Sequence, residues 1–287
     1  MLGSGYATAM TDPPFPFHRL SDRSVIAIEG PEAVGFLQGL VTADVHDMRT
    51  GEARYGALLT PQGKILFDFF MVRTAGGFLA DCAGAQRDDL IRRLTFYRLR
   101  AKVTIMARDD LGAAASSAEP LAPLRYADPR TSLLGYRAIA PLGEIPAGNG
   151  SNYRTARIGL GIACSEEIGS GKVFPHEANF DQFNGVSFSK GCYVGQEVVS
   201  RMEHRGTTRS RICPVELSAA PASGVTEIMA GEKSVGTLLA VEGTNGLAIV
   251  RLDRLADAVA QGEELLTGAV RVHVRKPPWA GFDVAGA

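Results

Sequence analysis

The residues with the greatest chemical potential lie together in Lys190-Gly191-Cys192-Tyr193-Val194-Gly195-Gln196-Glu197. From Tyr193 or Val194 onward, Val198 and Met202 recur at i, i+4 spacing, which predicts a helix. Cys192 would then sit at or just before a helix N-terminus, beside the Lys190 ammonium. Both features favour a thiolate over a thiol, so the expected chemistry is that of a cysteine with a depressed pKa. The competing expectation is a small buried apolar residue. A second anomaly is Asp68, inside the apolar run Lys64-Ile65-Leu66-Phe67-Asp68-Phe69-Phe70. A carboxylate there is costly if buried without partners, so it lies on an exposed strand face or faces a polar cavity. Phe188 and Tyr193 flank the cysteine as ring neighbours for a ligand or as core. Arg201, His204 and Arg205 follow on the same helix, as ligand contacts or as a solvated face.

These residues need elements to hold them. Ser24 to Ile28 reads as a strand, and Gly30-Pro31-Glu32 opens a helix with Val34, Leu37 and Leu40 on one face. Tyr55–Leu59, Ile65–Val72 and Phe78–Cys82 read as strands. Thr60-Pro61-Gln62-Gly63 and Thr74-Ala75-Gly76-Gly77 supply the turns, so the pairing is antiparallel. Asp88 to Tyr97 reads as a helix with Leu90, Ile91, Leu94 and Tyr97 inward, and Ala101 to Ile105 as a strand. Asp110 to Pro123 and Ser165 to Asn179 read as loops. From about Thr207 the texture changes to short strands at regular spacing: Arg211–Leu217, Gly236–Val241, Gly246–Arg251 and Val270–Val274. That pattern predicts a small antiparallel barrel or sandwich, with a boundary near Gly206. The expected organisation is a flexible segment over 1–14, a region over 15–206 built of two interwoven subdomains, and a barrel over 207–287.

The 287 residues are 45% hydrophobic, ample for a core, and the formal charge of −1 demands neither nucleic acid nor an anionic membrane. Arg87, Arg92, Arg93, Arg98 and Arg100 form a stripe, but Asp88 and Asp89 beside them favour a solvated face over a direct nucleic-acid contact. Cys82, Cys164, Cys192 and Cys213 form no C-x-x-C pair. This argues against a disulfide framework or an all-cysteine metal site, and no metal is expected. A reducing compartment follows, and cytoplasmic localisation is the expectation. No stretch approaches the ~18 apolar residues of a membrane span. Met1 to Pro14 lacks a basic start and a long apolar run, so no secretory signal is expected, and Met10 is an alternative start.

The block Lys190 to Glu197, followed by Arg201-Met202-Glu203-His204-Arg205-Gly206, resembles the signature of the YgfZ-type folate-binding proteins, relatives of the glycine cleavage T-protein (aminomethyltransferase). The segments Phe36–Val45, Leu58–Asp68, Tyr97–Val103 and Phe174–Asn179 are also similar, so the resemblance covers about residues 20–210. It implies an α+β, cloverleaf-like fold around a central channel, ending in a small β-barrel. It also implies a tetrahydrofolate or other reduced-folate ligand, and support for iron–sulfur protein assembly or repair and for tRNA modification by cluster-containing enzymes. Iron–sulfur proteins or their assembly factors are the implied protein partners.

On this resemblance Cys192 is the working thiol, with Lys190 and Asp68 in the reacting set. Glu177, in Phe174-Pro175-His176-Glu177, matches a pterin-binding glutamate of T-proteins, whose carboxylate accepts two parallel bonds from the pterin donor edge. Phe188 and Tyr193 would cover the ring, and Arg201 and Arg205 would meet the tail carboxylates. Glu177 and Cys192 are expected to share one cavity. Phe67 stands where T-proteins carry the first of two aspartates, which puts methylene transfer in doubt. Two alternatives remain open: a folate-dependent aminomethyltransferase, the form catalysis would take here, and an adaptor without a small ligand.

Overall fold

The computed structural model describes residues 15–148, 150–206 and 208–287. The segment over 1–14, expected to be flexible, lies outside them. The chain runs β1 (His18–Arg19), β2 (Arg23–Glu29), α1 (Ala33–Gln38), β3 (Ala53–Leu59), β4 (Ile65–Thr74), β5 (Gly77–Ala83), α2 (Arg87–Arg98) and β6 (Thr104–Ala107). It continues through β7 (Leu111–Ser116), β8 (Leu124–Ala127), β9 (Tyr136–Pro141), α3 (Ser151–Gly159), α4 (Ser165–Ile168) and α5 (Gln196–Arg205). The last part is β10 (Ser210–Leu217), β11 (Glu227–Ala230), β12 (Lys233–Glu242), β13 (Asn245–Arg251), α6 (Leu252–Gln261), β14 (Leu265–Thr267) and β15 (Val270–Val274). Among the described residues no helix is long and apolar enough to cross a membrane.

Three sheets result. One has the order β3-β4-β5-β2-β6, a second β1-β7-β9-β8, and the third closes as the barrel β10-β13-β12-β11-β14-β15. The five-stranded sheet is covered on both faces, which is why its strands read as continuous apolar runs rather than as alternation. Past a bulge opposite Leu58 and Leu59, Phe67, Phe69 and Met71 of β4 enter the core under α1 and α2. Phe70 and Val72 enter the other core, shared with β7, β9, α3 and the chain over 173–186. Ile212 and Leu247 of the barrel belong to that second core as well.

Several expectations need correction. The helix of the central signature begins at Gln196, behind a Gly195 cap with φ 81°. A glycine in that conformation stops the helix from extending back to Tyr193. The stretch Asp110 to Pro123 is not all loop: Ala113, Ala114 and Ala115 of β7 are fully buried, small side chains that let the two sheets approach. Ser165 to Asn179 likewise contains α4, with Glu167 accepting from the Cys164 N–H at 2.8 Å. The strand expected over Ala101 to Ile105 lies later, over Thr104–Ala107. In the barrel, β11, β14 and α6 are further elements beyond the four strands read from spacing. Leu255 and Ala258 of α6 cover the barrel core.

Candidate functional site

The pleat that sends Phe67 and Phe69 under α2 sends Asp68 the other way. There it is 3% exposed, with the Tyr55 hydroxyl donating to Oδ2 at 3.0 Å and the Ser165 hydroxyl donating to Oδ1. Burial, reinforced by the Asp68 charge, pushes the Tyr55 phenol well above its ordinary range, so it stays a donor. Each carboxylate oxygen keeps capacity for another bond. Phe67 thus falls on the helix-covered face, and Asp68 is the residue of the two that faces the cavity.

Asp68 lines a cavity of about 220 Å³ where the two open sheets meet α3 and α4. Five arginines line it: Arg23, Arg130, Arg137, Arg154 and Arg157. Four are buried and committed to carboxylates behind the wall. Arg23 and Arg137 both hold Asp81, Arg130 grips Asp128 at 2.9 and 2.7 Å, and Arg157 grips Glu167 at 2.9 and 2.8 Å. Burial works against the Asp81 charge, yet Arg137 and Arg23 together hold its carboxyl below the usual range. The Tyr153 hydroxyl accepts from Arg130 at 2.7 Å and from Arg137 at 2.8 Å. Arg137 stacks over Phe70 at 4.1 Å, and its Nε is buried without a hydrogen-bond partner among the described residues. Arg154 is the partly exposed arginine of the set, 3.2 Å from Glu242 of the barrel. The cavity thus offers one hydroxyl-braced carboxylate, an aromatic wall and guanidinium edges.

The signature loop is arranged differently. Lys190 is 7% exposed and donates to the carbonyls of Val41 at 2.8 Å and Ala43 at 2.7 Å. Its ammonium lies 5.3 Å over the Tyr193 ring, and burial pulls its pKa down to about 8 against the opposing pull of Asp44. Lys190 is therefore an anchor to the chain after α1. Cys192, between buried Lys190 and buried Tyr193, is exposed. α5 starts only at Gln196, and the Lys190 ammonium is taken up by the Val41 and Ala43 carbonyls. Burial also pushes the Tyr193 phenol up to about 12, and its hydroxyl has no hydrogen-bond partner among the described residues.

Glu177 is half-buried, and its carboxylate accepts from the Phe174 N–H at 2.9 Å. Burial raises its pKa, opposed by that bond and by Lys64. Its carbonyl accepts from Ile212 of β10, which ties the loop to the barrel. His176 beside it is 2% exposed, 2.9 Å from Glu203, with its ring 5.8 Å from the 41%-exposed Phe188. Arg201 pairs with Glu197 one turn away, and His204 and Arg205 are exposed.

The residues expected around one hollow do not all meet at the Asp68 cavity. The Asp68 cavity is lined by neither Glu177 nor Cys192, and Tyr193, Phe188, Arg201 and Arg205 do not line it either. Strand alternation separates them: Asp68 points between the sheets, whereas the signature loop lies beyond the β3–β4 turn. The cavity instead gathers residues passed over in the sequence, among them Arg23, Arg137 and Tyr153. A signal existed for its network. Asp81 in Phe78-Leu79-Ala80-Asp81-Cys82 and Arg137 in Tyr136-Arg137-Ala138-Ile139 are charges in apolar runs, the same anomaly as Asp68. Among the described residues no group of three or more His, Cys, Asp or Glu is placed to hold a metal.

Residues 20–113 match the GCVT N-terminal domain family, and residues 209–282 match the CAF17 C-terminal beta-barrel domain family. The fold is shared with the glycine cleavage system aminomethyltransferase T from Bartonella henselae, with TM-score 0.69 at 16% identity, covering 92% of this chain and 86% of that one. The mitochondrial iron-sulfur cluster assembly factor IBA57 homolog of Pyricularia oryzae is 34% identical, over 86% of this chain and 74% of that protein. The mitochondrial iron-sulfur cluster assembly factor IBA57 of Homo sapiens is 31% identical, over 83% and 78%. These relatives overturn the cytoplasmic expectation, since they are mitochondrial proteins; unpaired cysteines speak to a reducing milieu and not to one compartment. With both domain families in order along an α+β chain of this fold, the protein belongs to the IBA57/CAF17 family of YgfZ type, related to the glycine cleavage T-proteins, and is a homologue of the iron-sulfur cluster assembly factor IBA57.

Proposed function

We propose that this chain serves the assembly or repair of iron–sulfur proteins, holds a reduced folate in the Asp68 cavity and presents Cys192 as its working thiol. The observation that carries the folate part is the buried Asp68 carboxylate, braced by Tyr55 and Ser165 inside a lined cavity. A pterin's donor edge needs such an acceptor, and Phe70 and Tyr153 give its ring apolar cover. At about 220 Å³ the cavity suits the ring end alone. The tail would leave past Arg154, which takes the part first assigned to Arg201 and Arg205, as Asp68 takes that of Glu177. The T-protein-type domain family supports this ligand class.

Cys192 supports the second part because it is exposed on a loop whose neighbours are anchored. One cysteine cannot hold a cluster alone, since clusters normally take four ligands. A partner protein would supply the others. Support of cluster-dependent tRNA modification would follow through the supplied enzymes and needs no RNA surface here.

The test is thermal unfolding with tetrahydrofolate, 5-formyl- and 5,10-methylene-tetrahydrofolate, for wild type, Asp68→Asn and Glu177→Ala. Ligand at about a hundred times its Kd should stabilise wild type by roughly 2.7 kcal/mol. Asp68→Asn should lose that increment and Glu177→Ala should keep it. An unresponsive wild type sinks the folate assignment. Cys192→Ser should unfold at the wild-type midpoint, bind folate and fail to complement a deletion strain; full complementation would remove the thiol from the proposal.

A further inference from the structure

The outer side of α2 carries two large apolar side chains, Phe96 at 72% and Leu99 at 87% exposure. Leu99 caps the helix with φ 46°, a conformation in which glycine is the cheaper residue. Beside Phe96 runs a groove of about 480 Å³ floored by Leu66 and Phe67 of β4, walled by Phe96 and rimmed by Asp89, Arg92 and Arg93. Arg92 is paired with Asp89. Arg93, Arg100 and Lys102 have no ion-pair partner among the described residues. Cations at the end of α2 suit its dipole, but Arg93 lies mid-helix, outside the reach of that effect. A merely solvated face accounts for the charges and not for Phe96 and Leu99 among them. Exposed apolar area bounded by unpaired cations has the composition of an interaction site.

We propose that the groove between α2 and the start of β4 is a docking surface for an acidic protein segment. One large apolar side chain of the segment would enter against Phe96, Phe67 and Leu66. Its carboxylates would meet Arg93 and Arg100. A protein segment fits better than a nucleic acid because the floor is apolar and takes a side chain rather than a phosphate backbone. The location adds meaning. Ile65, next to Leu66, is bonded to Val173 and Gly171, and the Thr60–Gly63 turn before it packs against Gly195 of the signature loop. A segment seated in the groove therefore ends near the turn on which the Cys192 loop rests. The docking claim stands whether or not the cavity takes folate.

The experiment is fluorescence anisotropy on the full chain. The probes are a labelled synthetic peptide with one Phe flanked by Asp and Glu, the same peptide with Phe replaced by Ser, a version with Lys for the acids, and a single-stranded RNA. The acidic, Phe-bearing peptide should bind saturably and weaken with salt. Phe96→Ser and Arg93→Glu should each weaken it about tenfold, as loss of an interface anchor does. Both positions face solvent, so unchanged melting curves will show that the variants fold. Absence of peptide binding, binding indifferent to both variants, or preference for the RNA or the Lys-bearing peptide would each overturn the proposal.

Discussion

Lys190 commits its ammonium to the carbonyls of Val41 and Ala43 while lying almost out of solvent. Its folded pKa of about 8 is below the ordinary lysine value, so burial and not a partner carboxylate dominates. The sign follows from proton linkage. Between about 8 and about 10.4 the unfolded chain holds the proton more firmly, so this group makes the fold more stable as pH rises through that window. Urea unfolding of wild type and Lys190→Met at pH 7.5 and pH 10 checks this: the wild type should gain on the variant at the higher pH. Asp81 is the opposite case, a buried carboxylate held ionised between Arg23 and Arg137. Its contribution is present above the ordinary carboxylate range and is lost as pH falls through the depressed folded value. Asp81→Asn leaves two guanidiniums buried without a counter-charge and should cost about 3–5 kcal/mol at neutral pH. Chemical denaturation would measure it, and a cost under one kcal/mol would contradict the geometry.

The β3–β4 hairpin and the signature loop hold each other through glycines. A Cβ on Gly195 would stand 2.5 Å from the Thr60 carbonyl oxygen at φ 81°, whereas one on Gly191 would meet nothing within 4 Å. Gly195→Ala should therefore destabilise by at least ~1–3 kcal/mol and displace the loop that carries Cys192. Gly191→Ala should stay within about 0.5 kcal/mol of wild type. Paired melting curves decide the matter, with the rate of Cys192 alkylation as a second readout that should change only in the first variant.

Across the whole molecule, the barrel is bonded into the rest of the chain. Arg211 of β10 grips Asp181 at 2.6 and 2.9 Å, the Asn179 amide donates to the Ile212 carbonyl, and the Trp279 indole donates to the Leu160 carbonyl at 2.7 Å. Ile212 and Leu247 complete a core that the open sheets share. A chain ending at Gly206 would expose that core and is expected to aggregate or to lack a cooperative melt. Circular dichroism with size-exclusion chromatography tests it; a monomer with a sharp transition would show that the barrel is dispensable for folding.

The sequence alone determined the antiparallel hairpin of Tyr55–Val72, the buried face of α2 with Leu90 and Leu94, the family resemblance and the closing β-rich region. Those features rest on local periodicity and turn chemistry, which a linear string carries. It also marked Asp68 as a polar exception. Only the tertiary structure decided which polar residues meet. Asp68, Arg137 and Tyr153 come from three separate elements, and Cys192 is exposed because buried neighbours on both sides pin its loop. The physical reason is that pleat direction, bulge position and sheet packing set where a side chain points, and each depends on partners far away in sequence.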